Sequence, residues 1–432
     1  MKRKLLAFVF AGSLALSLAC GCGGNNSKIL PERDNGSSAV KTVSFFGHRT
    51  DNKSLTVFEG VLQNFMAENQ DINVSYESAT ETSYFSALEK RFKTDNLDDV
   101  FMTDRDSLIS FTESDALADL SAHVNTDILS PLALSQSAQR DGKLYAVPTG
   151  ISTYGLYINY DVLQKYGISV PKNYSEFAAA CDFFTGEGIN PLIINNYSSL
   201  RTLIEAAGLY DVYQTPDMQA ELEKINSSPT LLCEGLNKGI DLAYTLFERG
   251  WADADQAKSC SHFSGDIQLF YKGENPFMIT GSYAAADLRK LLKENGSSLS
   301  FGIYPYPVLE TGSVLLAQAD AMLCVKNGEN AEAGKKLVKA LTCYNVLAEL
   351  SSGQGCFTVL KGQTQIHSDP ALIPSASYLA NGKYVIGSDI NLKIPLDKYL
   401  TECGNMILNG QTAEAVKSHL YSLLDGSKAG AR

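Results

Sequence analysis

Three polar groups stand directly after runs that read as β-strands: His48-Arg49, Thr80-Glu81 and Asp104. In open α/β sheets ligands bind outside the carboxyl ends of strands, so post-strand residues face the crevice. Carboxylates and guanidinium groups are planar and make paired hydrogen bonds, which suits adjacent polar atoms on a small solute. Aromatic candidates accompany them. Ser152-Thr153-Tyr154 follows the turn-like Pro148-Thr149-Gly150. Tyr154 is placed to stack, whereas Tyr157 alternates into the strand and reads as core. Gly281-Ser282-Tyr283 follows a buried apolar run and opens a helix. The glycine permits close backbone approach, and the helix start offers free N–H groups. Trp251 follows a helix end at Arg249-Gly250 and is either a stacking face or a packed core residue. Asp320 precedes a strand and is either a contact or structural, His48-Arg49 has the alternative of a solvated loop pair, and Asp106 is expected to cap a helix. The chemistry on offer is hydrogen bonding and stacking, without bond making.

Covalent chemistry finds little support. There is no Gly-x-Ser-x-Gly elbow, no Walker A loop and no His-Glu-x-x-His, and the five histidines are scattered. Asp95-Asn96-Leu97-Asp98-Asp99 lacks the glycine and terminal glutamate of an EF-hand loop. No metal or cofactor is expected. A glycosidase needs two carboxylates facing across a cleft, which a sequence neither displays nor excludes. The net charge of -12, without a basic stripe, argues against nucleic acid as a partner. Of nine cysteines, Cys20 and Cys22 lie near the start. The others (Cys181, Cys233, Cys260, Cys324, Cys343, Cys356, Cys403) form no Cys-x-x-Cys pair and read mostly as small buried hydrophobes with free thiols.

The elements that must position these residues alternate. Strands are expected at 42–46, 73–77, 99–102, 144–147, 155–159, 276–280, 299–303 and 321–325. Helices are expected at 55–69, with Ser54 as N-cap, and at 84–94, 331–341, 345–352, 396–408 and 412–424. Asn173-Tyr174-Ser175-Glu176 reads as a capping box. Leu236, Ile240, Ala243, Tyr244 and Phe247 mark another helical face, with Gly250 beyond its end. Strands alternating with helices imply an α/β fold with mostly parallel sheets. The hydrophobic fraction of 44% supplies large cores, and length alone suggests two or three domains. Residues 1–22 combine Lys2-Arg3-Lys4, a short apolar run and small residues around Cys20 and Cys22, the pattern of a secretory signal. It is similar to the lipobox of bacterial lipoproteins. That likeness implies cleavage before a lipidated cysteine, with Cys22 favoured slightly over Cys20, and a body tethered outside the cytoplasmic membrane. Residues 23–41 read as a flexible linker.

The body resembles the family 1 extracellular solute-binding proteins of carbohydrate ABC importers. The likeness rests on an ordered set of segments: Val43-Ser44-Phe45-Phe46, Phe58-Glu59-Gly60-Val61-Leu62-Gln63-Asn64-Phe65, Asp99-Val100-Phe101-Met102-Thr103-Asp104, and Asp141-Gly142-Lys143-Leu144-Tyr145-Ala146-Val147-Pro148-Thr149. Gly155-Leu156-Tyr157-Ile158-Asn159, Phe277-Met278-Ile279-Thr280-Gly281-Ser282-Tyr283 and Gly302-Ile303-Tyr304-Pro305-Tyr306-Pro307 follow in order. The resemblance implies a two-lobed periplasmic-binding-protein-like fold (type II). Lobe 1 would comprise 42–147 plus about 305–360, and lobe 2 148–304 plus about 361–432, with hinge crossings at 146–149 and 303–307. It implies a lipid-anchored monomer, not an enzyme, that captures a sugar and hands it to membrane permease subunits. A peptide or polyamine binder on the same fold, or a secreted carbohydrate-active enzyme, are the alternatives. A sugar would stack its C–H faces on aromatic rings and hydrogen-bond its hydroxyls to Asp, Glu, Asn or Arg. On this reading the ligand contacts are His48, Arg49, Glu81, Asp104, Ser152, Tyr154, Trp251, Ser282, Tyr283 and Asp320. Many relatives carry Trp where this chain has Tyr283, and Trp251 is its one tryptophan against 21 tyrosines.

Overall fold

Short runs of apolar, β-branched and aromatic residues between turns become buried strands. In chain order the strands are Lys41–Gly47 (β1), Ile72–Ser78 (β2), Val100–Thr103 (β3), Gln139–Arg140 (β4), Lys143–Leu144 (β5), Val147–Pro148 (β6), Ile151–Asn159 (β7), Leu192–Ile193 (β8), Phe277–Gly281 (β9), Phe301–Tyr304 (β10), Tyr306–Leu309 (β11), Gly312–Ala319 (β12), Met322–Val325 (β13) and Tyr384–Ile386 (β14). The computed structural model describes residues 40–48, 52–79, 81–137, 139–140, 142–260, 263–351, 356–362, 369–387 and 389–427. The leader with Cys20 and Cys22, most of the linker, and Arg49 lie outside the described residues.

The strands form two main sheets. The first has the order β2-β1-β3-β13-β6, and the second β11-β12-β7-β9-β8, with β10 also on β7 and β14 on β12. The α/β class and the two-sheet architecture are those expected. The pairing is mixed rather than mostly parallel. β1 runs parallel to β2 and β3, but β13 lies antiparallel to both β3 and β6. β7 runs against β9, β10 and β12. The strands β6, β7, β12 and β13, which connect one sheet directly to the other, run against the neighbours they join, except that β12 runs parallel to β14.

The second hinge crossing differs from expectation. The sequence places 305–319 in lobe 1 with a crossing at 303–307, yet β11 and β12 are hydrogen-bonded into the second sheet. β12 pairs with β7 from Leu316↔Tyr154 to Ala319↔Ile151. Only after the Asp320 N–H reaches the Gly150 carbonyl, at 2.9 Å, does the chain enter the first sheet as β13. The chain thus passes between sheets at 148–151 and again at 319–322. A third segment joins them, where Ile151 and Phe357 exchange backbone hydrogen bonds at 2.9 and 2.7 Å.

Helices cover both sheets. Asn52–Glu68 packs against Ala331–Leu341 and Tyr344–Ser351 beside the first sheet. Ser54, expected as its cap, lies inside the helix and is buried. Ser199–Tyr213 packs on β12, β14, Cys233–Glu248 and Leu396–Leu408 in the second. The contact between Ser199–Tyr213 and Cys233–Glu248 needs glycine. A Cβ on Gly235 would stand 2.1 Å from the Gly208 carbonyl oxygen. The cap forms as read, with Asn173 Oδ1 accepting the Glu176 N–H at 2.9 Å, but Glu176 Oε2 reaches one residue further back and accepts the Lys172 N–H at 2.9 Å.

Candidate functional site

The first half of the site is built at the carboxyl edge of the first sheet. His48 follows β1; its N–H approaches Met102 Sδ at 3.4 Å, and its ring packs 5.0 and 4.9 Å from Tyr84 and Phe85. Asp104 follows β3 on the same edge. It is the N-cap of Arg105–Glu113, accepting the Ser107 N–H at 2.8 Å. Asp106, expected in the capping role, instead sits in the first turn and pairs with Arg105 at 2.5 Å. A cap needs extended backbone just before the first helical residue, and that position falls on Asp104, two residues earlier than read. Burial pushes the Asp104 carboxyl up to about 6; hydrogen bonds from Ser107 oppose the rise, while Asp106 and Asp397 add to it. Asp106 is also raised, by burial and then by Asp397, against the pull of Arg105 and Arg201. Glu81 opens the helix Glu81–Lys93 after β2, on this same edge.

The second half gathers around the start of β7. Ser152 Oγ donates to Asp320 Oδ1 at 2.5 Å, and Cys356 Sγ to Asp320 Oδ2 at 2.9 Å. These contacts tie the three crossing segments together. Ser282 is buried and exchanges hydrogen bonds with the Thr153 backbone at 2.8 and 3.1 Å, so it positions the strand ends. Tyr154 and Tyr283 meet edge to face at 6.0 Å. Tyr283 lies so close over Gly281 that a Cβ there would fall 2.1 Å from its ring.

Beside Tyr154 lies an ion-pair cluster inside Ser199–Tyr213. Arg201 Nη1 sits 2.9 Å from Asp397 and 3.5 Å from Glu205, with its guanidinium 5.9 Å from the Tyr154 ring centre. Burial opposes the Arg201 charge, but Asp397 and Glu205 outweigh it and hold the pKa above its ordinary value. Tyr197 interacts with the same guanidinium and is 39% exposed. Its loop is rigidly made: Asn195 Oδ1 accepts the N–H groups of Tyr197 and Ser198 at 3.1 and 2.8 Å, and Asn195 Nδ2 donates to buried Asp266 at 2.8 Å. Arg105, which pairs with Asp106 at 2.5 Å, donates to the Asp389 carbonyl at 3.2 Å, so the edges of both sheets meet here.

The structure places Asp104 and half-buried Tyr283 in this polar and aromatic region and Ser152 with Asp320 in the hinge beside it, but it withdraws Tyr154 from stacking, since that side chain is 5% exposed and packed against Tyr283 and Arg201. It removes Trp251. That side chain is fully buried, edge-on to Phe177 at 5.9 Å, and its indole N–H donates to Asp182 at 2.8 Å. A stacking face must be open, and this one is packed in core. The reading missed Arg105, Tyr197, Arg201, Glu205 and Asp397. One signal was present: an Arg and a Glu four apart inside the apolar run Leu200-Arg201-Thr202-Leu203-Ile204-Glu205-Ala206. Charges on a buried helical face demand partners. Among the described residues, no group of three or more His, Cys, Asp or Glu side chains is placed to hold a metal ion, and no disulfide joins the cysteines.

A family model described as bacterial extracellular solute-binding protein matches residues 60–374. A binding protein of Brucella abortus (strain 2308) is 24% identical over 321 residues, 72% of this chain and 74% of that one. A sugar transporter protein of Bacillus licheniformis, solved in complex with stachyose, superposes with a TM-score of 0.67 at 16% identity, covering 88% of this chain and 98% of that one. The GacH receptor of Streptomyces glaucescens, solved unliganded and with acarbose, gives 0.70 at 18% identity over 90% of this chain and 99% of that one. At these identities the likeness establishes the two-lobed fold.

Proposed function

The chain belongs to the bacterial extracellular solute-binding proteins, and on that premise we propose that it captures an oligosaccharide between two lobes and delivers it to the permease of an ABC importer. The carrying observation is the aromatic and ionic cluster: the Arg201–Asp397 pair beside packed Tyr154, Tyr283 edge-on to that ring, partly exposed Tyr197, and Asp106 on the first sheet's edge paired with Arg105, which reaches the second sheet's loop. Rings stack on the apolar C–H faces of a sugar, and planar charged groups take its hydroxyls. The stachyose and acarbose complexes of similar folds support the same class.

The lobes would centre on the two sheets and close about the crossings at 148–151, 319–322 and near 356–357. Closure follows because ligand contacts made from both lobes shift the population toward the closed form, which the permease then reads. We place the protein, as a monomer, on the outer face of the cytoplasmic membrane, held by a lipid on Cys22 or Cys20. Among the described residues no helix is long and apolar enough to cross a membrane. Mass spectrometry of the mature N-terminus identifies the modified cysteine.

The test is thermal denaturation with stachyose, chito- and xylo-oligosaccharides, di- and tripeptides, and polyamines. A true ligand at about 100 times its Kd adds about 2.7 kcal/mol. Stabilisation by a polyamine or peptide and by no carbohydrate overturns the sugar reading, and turnover of a labelled oligosaccharide overturns the receptor reading. Tyr197→Ala and Tyr283→Ala are expected to weaken sugar binding roughly tenfold each, about 1.4 kcal/mol of lost stacking. Tyr197→Ala should do so with an unchanged ligand-free melting curve, because its ring is 39% exposed.

A further inference from the structure

Arg105 makes a set of contacts that ligand binding does not require. It begins the helix after β3, and Phe111 of that helix packs edge-on to Phe101 of β3 at 5.5 Å, so it belongs to the first sheet. Its guanidinium nonetheless reaches the loop after β14, in the second sheet. Nε donates to the Asp389 carbonyl at 3.2 Å, and Nη2 donates to the Leu392 carbonyl. Nη1 pairs with Asp106 at 2.5 Å, and the residue is 4% exposed.

The receiving loop is anchored firmly to the second sheet's own helices. Asp389 Oδ2 accepts the Tyr213 hydroxyl at 2.6 Å, and Asp389 Oδ1 accepts the Asn391 N–H at 2.8 Å. Asn226 Nδ2 donates to the Asn391 carbonyl at 2.7 Å, while Asn226 Oδ1 accepts the Lys393 N–H at 2.7 Å. A second contact runs the other way, from Asn391 Nδ2 to the Ser135 carbonyl at 3.2 Å, in the segment between β3 and β6. A buried arginine on one body, satisfied by two main-chain carbonyls on a braced loop of the other, is a clamp between them.

We infer that Arg105 is a closure clamp: protein contacts from Arg105 to the 389–392 loop hold the two lobes together without ligand. The inference builds on the two-lobed hinge reading but not on the identity of the solute. A clamp of this kind raises the fraction of molecules already closed. Apparent affinity scales with the competent fraction, so the clamp also sets how tightly any ligand is held. Arg105 is thus a positioning residue for the ligand-bound form.

The test measures distances by double electron–electron resonance on the full-length protein. One spin label sits on exposed Cys343, beside the first sheet, and the other on Glu187→Cys, exposed beside the second. Without ligand, Arg105→Gln is expected to move the distribution to longer distances than in the parent. Tyr213→Phe loosens the loop from its own lobe and should shift the distribution in the same direction by less. It leaves Arg105 in place, so it carries the test if Arg105→Gln does not fold. Excess stachyose should return both variants to the parent's short distance, with a raised Kd. Unchanged ligand-free distributions in the folded variants overturn the clamp. Failure of stachyose and of the chito- and xylo-oligosaccharides to bind the parent counts against the sugar reading alone, because the clamp is scored without ligand.

Discussion

Asp104→Asn separates the two duties of a residue that caps a helix and carries a buried charge. Asparagine caps as well as aspartate, so its side-chain oxygen keeps the Ser107 N–H bond seen at 2.8 Å. What it removes is a titrating carboxyl whose native pKa stands at about 6 against an ordinary 3.8, raised chiefly by burial. Because the native value lies above the unfolded one, the folded state binds the proton more tightly. Below pH 3.8 both states are protonated and the carboxyl costs nothing extra; as pH rises toward about 6 its stability contribution is lost. About two units of difference, at about 1.36 kcal/mol each, amount to roughly 3 kcal/mol. Urea denaturation of ligand-free wild type and variant at pH 4 and pH 7.5 reads this directly. Because the unfolded carboxyl is already more than half ionised at pH 4, the variant's stability relative to wild type should be roughly 2.4 kcal/mol more favourable at the higher pH. Asp106 and Asp389, also raised by burial, titrate in both proteins and largely cancel in the difference. If Asp104 accepts a ligand hydroxyl as proposed, oligosaccharide affinity should also fall at neutral pH. A stability difference that stays flat between the two pH values refutes the reasoning, since it would mean that Asp104 is as well hydrated in the native state as in the unfolded chain.

Two further outcomes follow from the packing. Trp251→Phe should cost about 1–2 kcal/mol in chemical denaturation, because the smaller ring leaves a gap beside Phe177 and loses the indole hydrogen bond to Asp182, which keeps Arg249 as partner. Sugar affinity should be unchanged, and wild-type tryptophan fluorescence should stay constant on ligand addition while shifting on unfolding, since Trp251 is the one tryptophan and is buried. Gly235→Ala should destabilise by about 1–3 kcal/mol or more, measured by the denaturation midpoint, because the new methyl meets backbone at Gly208 and not a movable side chain.

Much of the fold is legible from local pattern. The strand at 42–46 appears as β1, and the helices at 331–341 and 396–408 have the bounds read from their apolar spacing. Each depends on residues within a few positions, where period and capping chemistry are visible. The site was less legible. Post-strand position points to Asp104 and Tyr283, which the structure places directly after β3 and just past β9. It said nothing of Arg201 and Asp397, which are 196 residues apart and meet at 2.9 Å.

The amino-acid sequence by itself determined the alternation of elements, the family and the polar and aromatic inventory for holding a small solute. These are properties of neighbours along the chain. Tertiary structure decided which of Asp104 and Asp106 caps the helix, that Trp251 faces Asp182 instead of a cleft, and that β11 and β12 stay with the second sheet. It also decided that Arg105 reaches carbonyls 284 and 287 residues away. Those outcomes depend on hydrogen bonds and exclusion of water between segments distant in sequence, and no local spacing encodes which distant group will arrive.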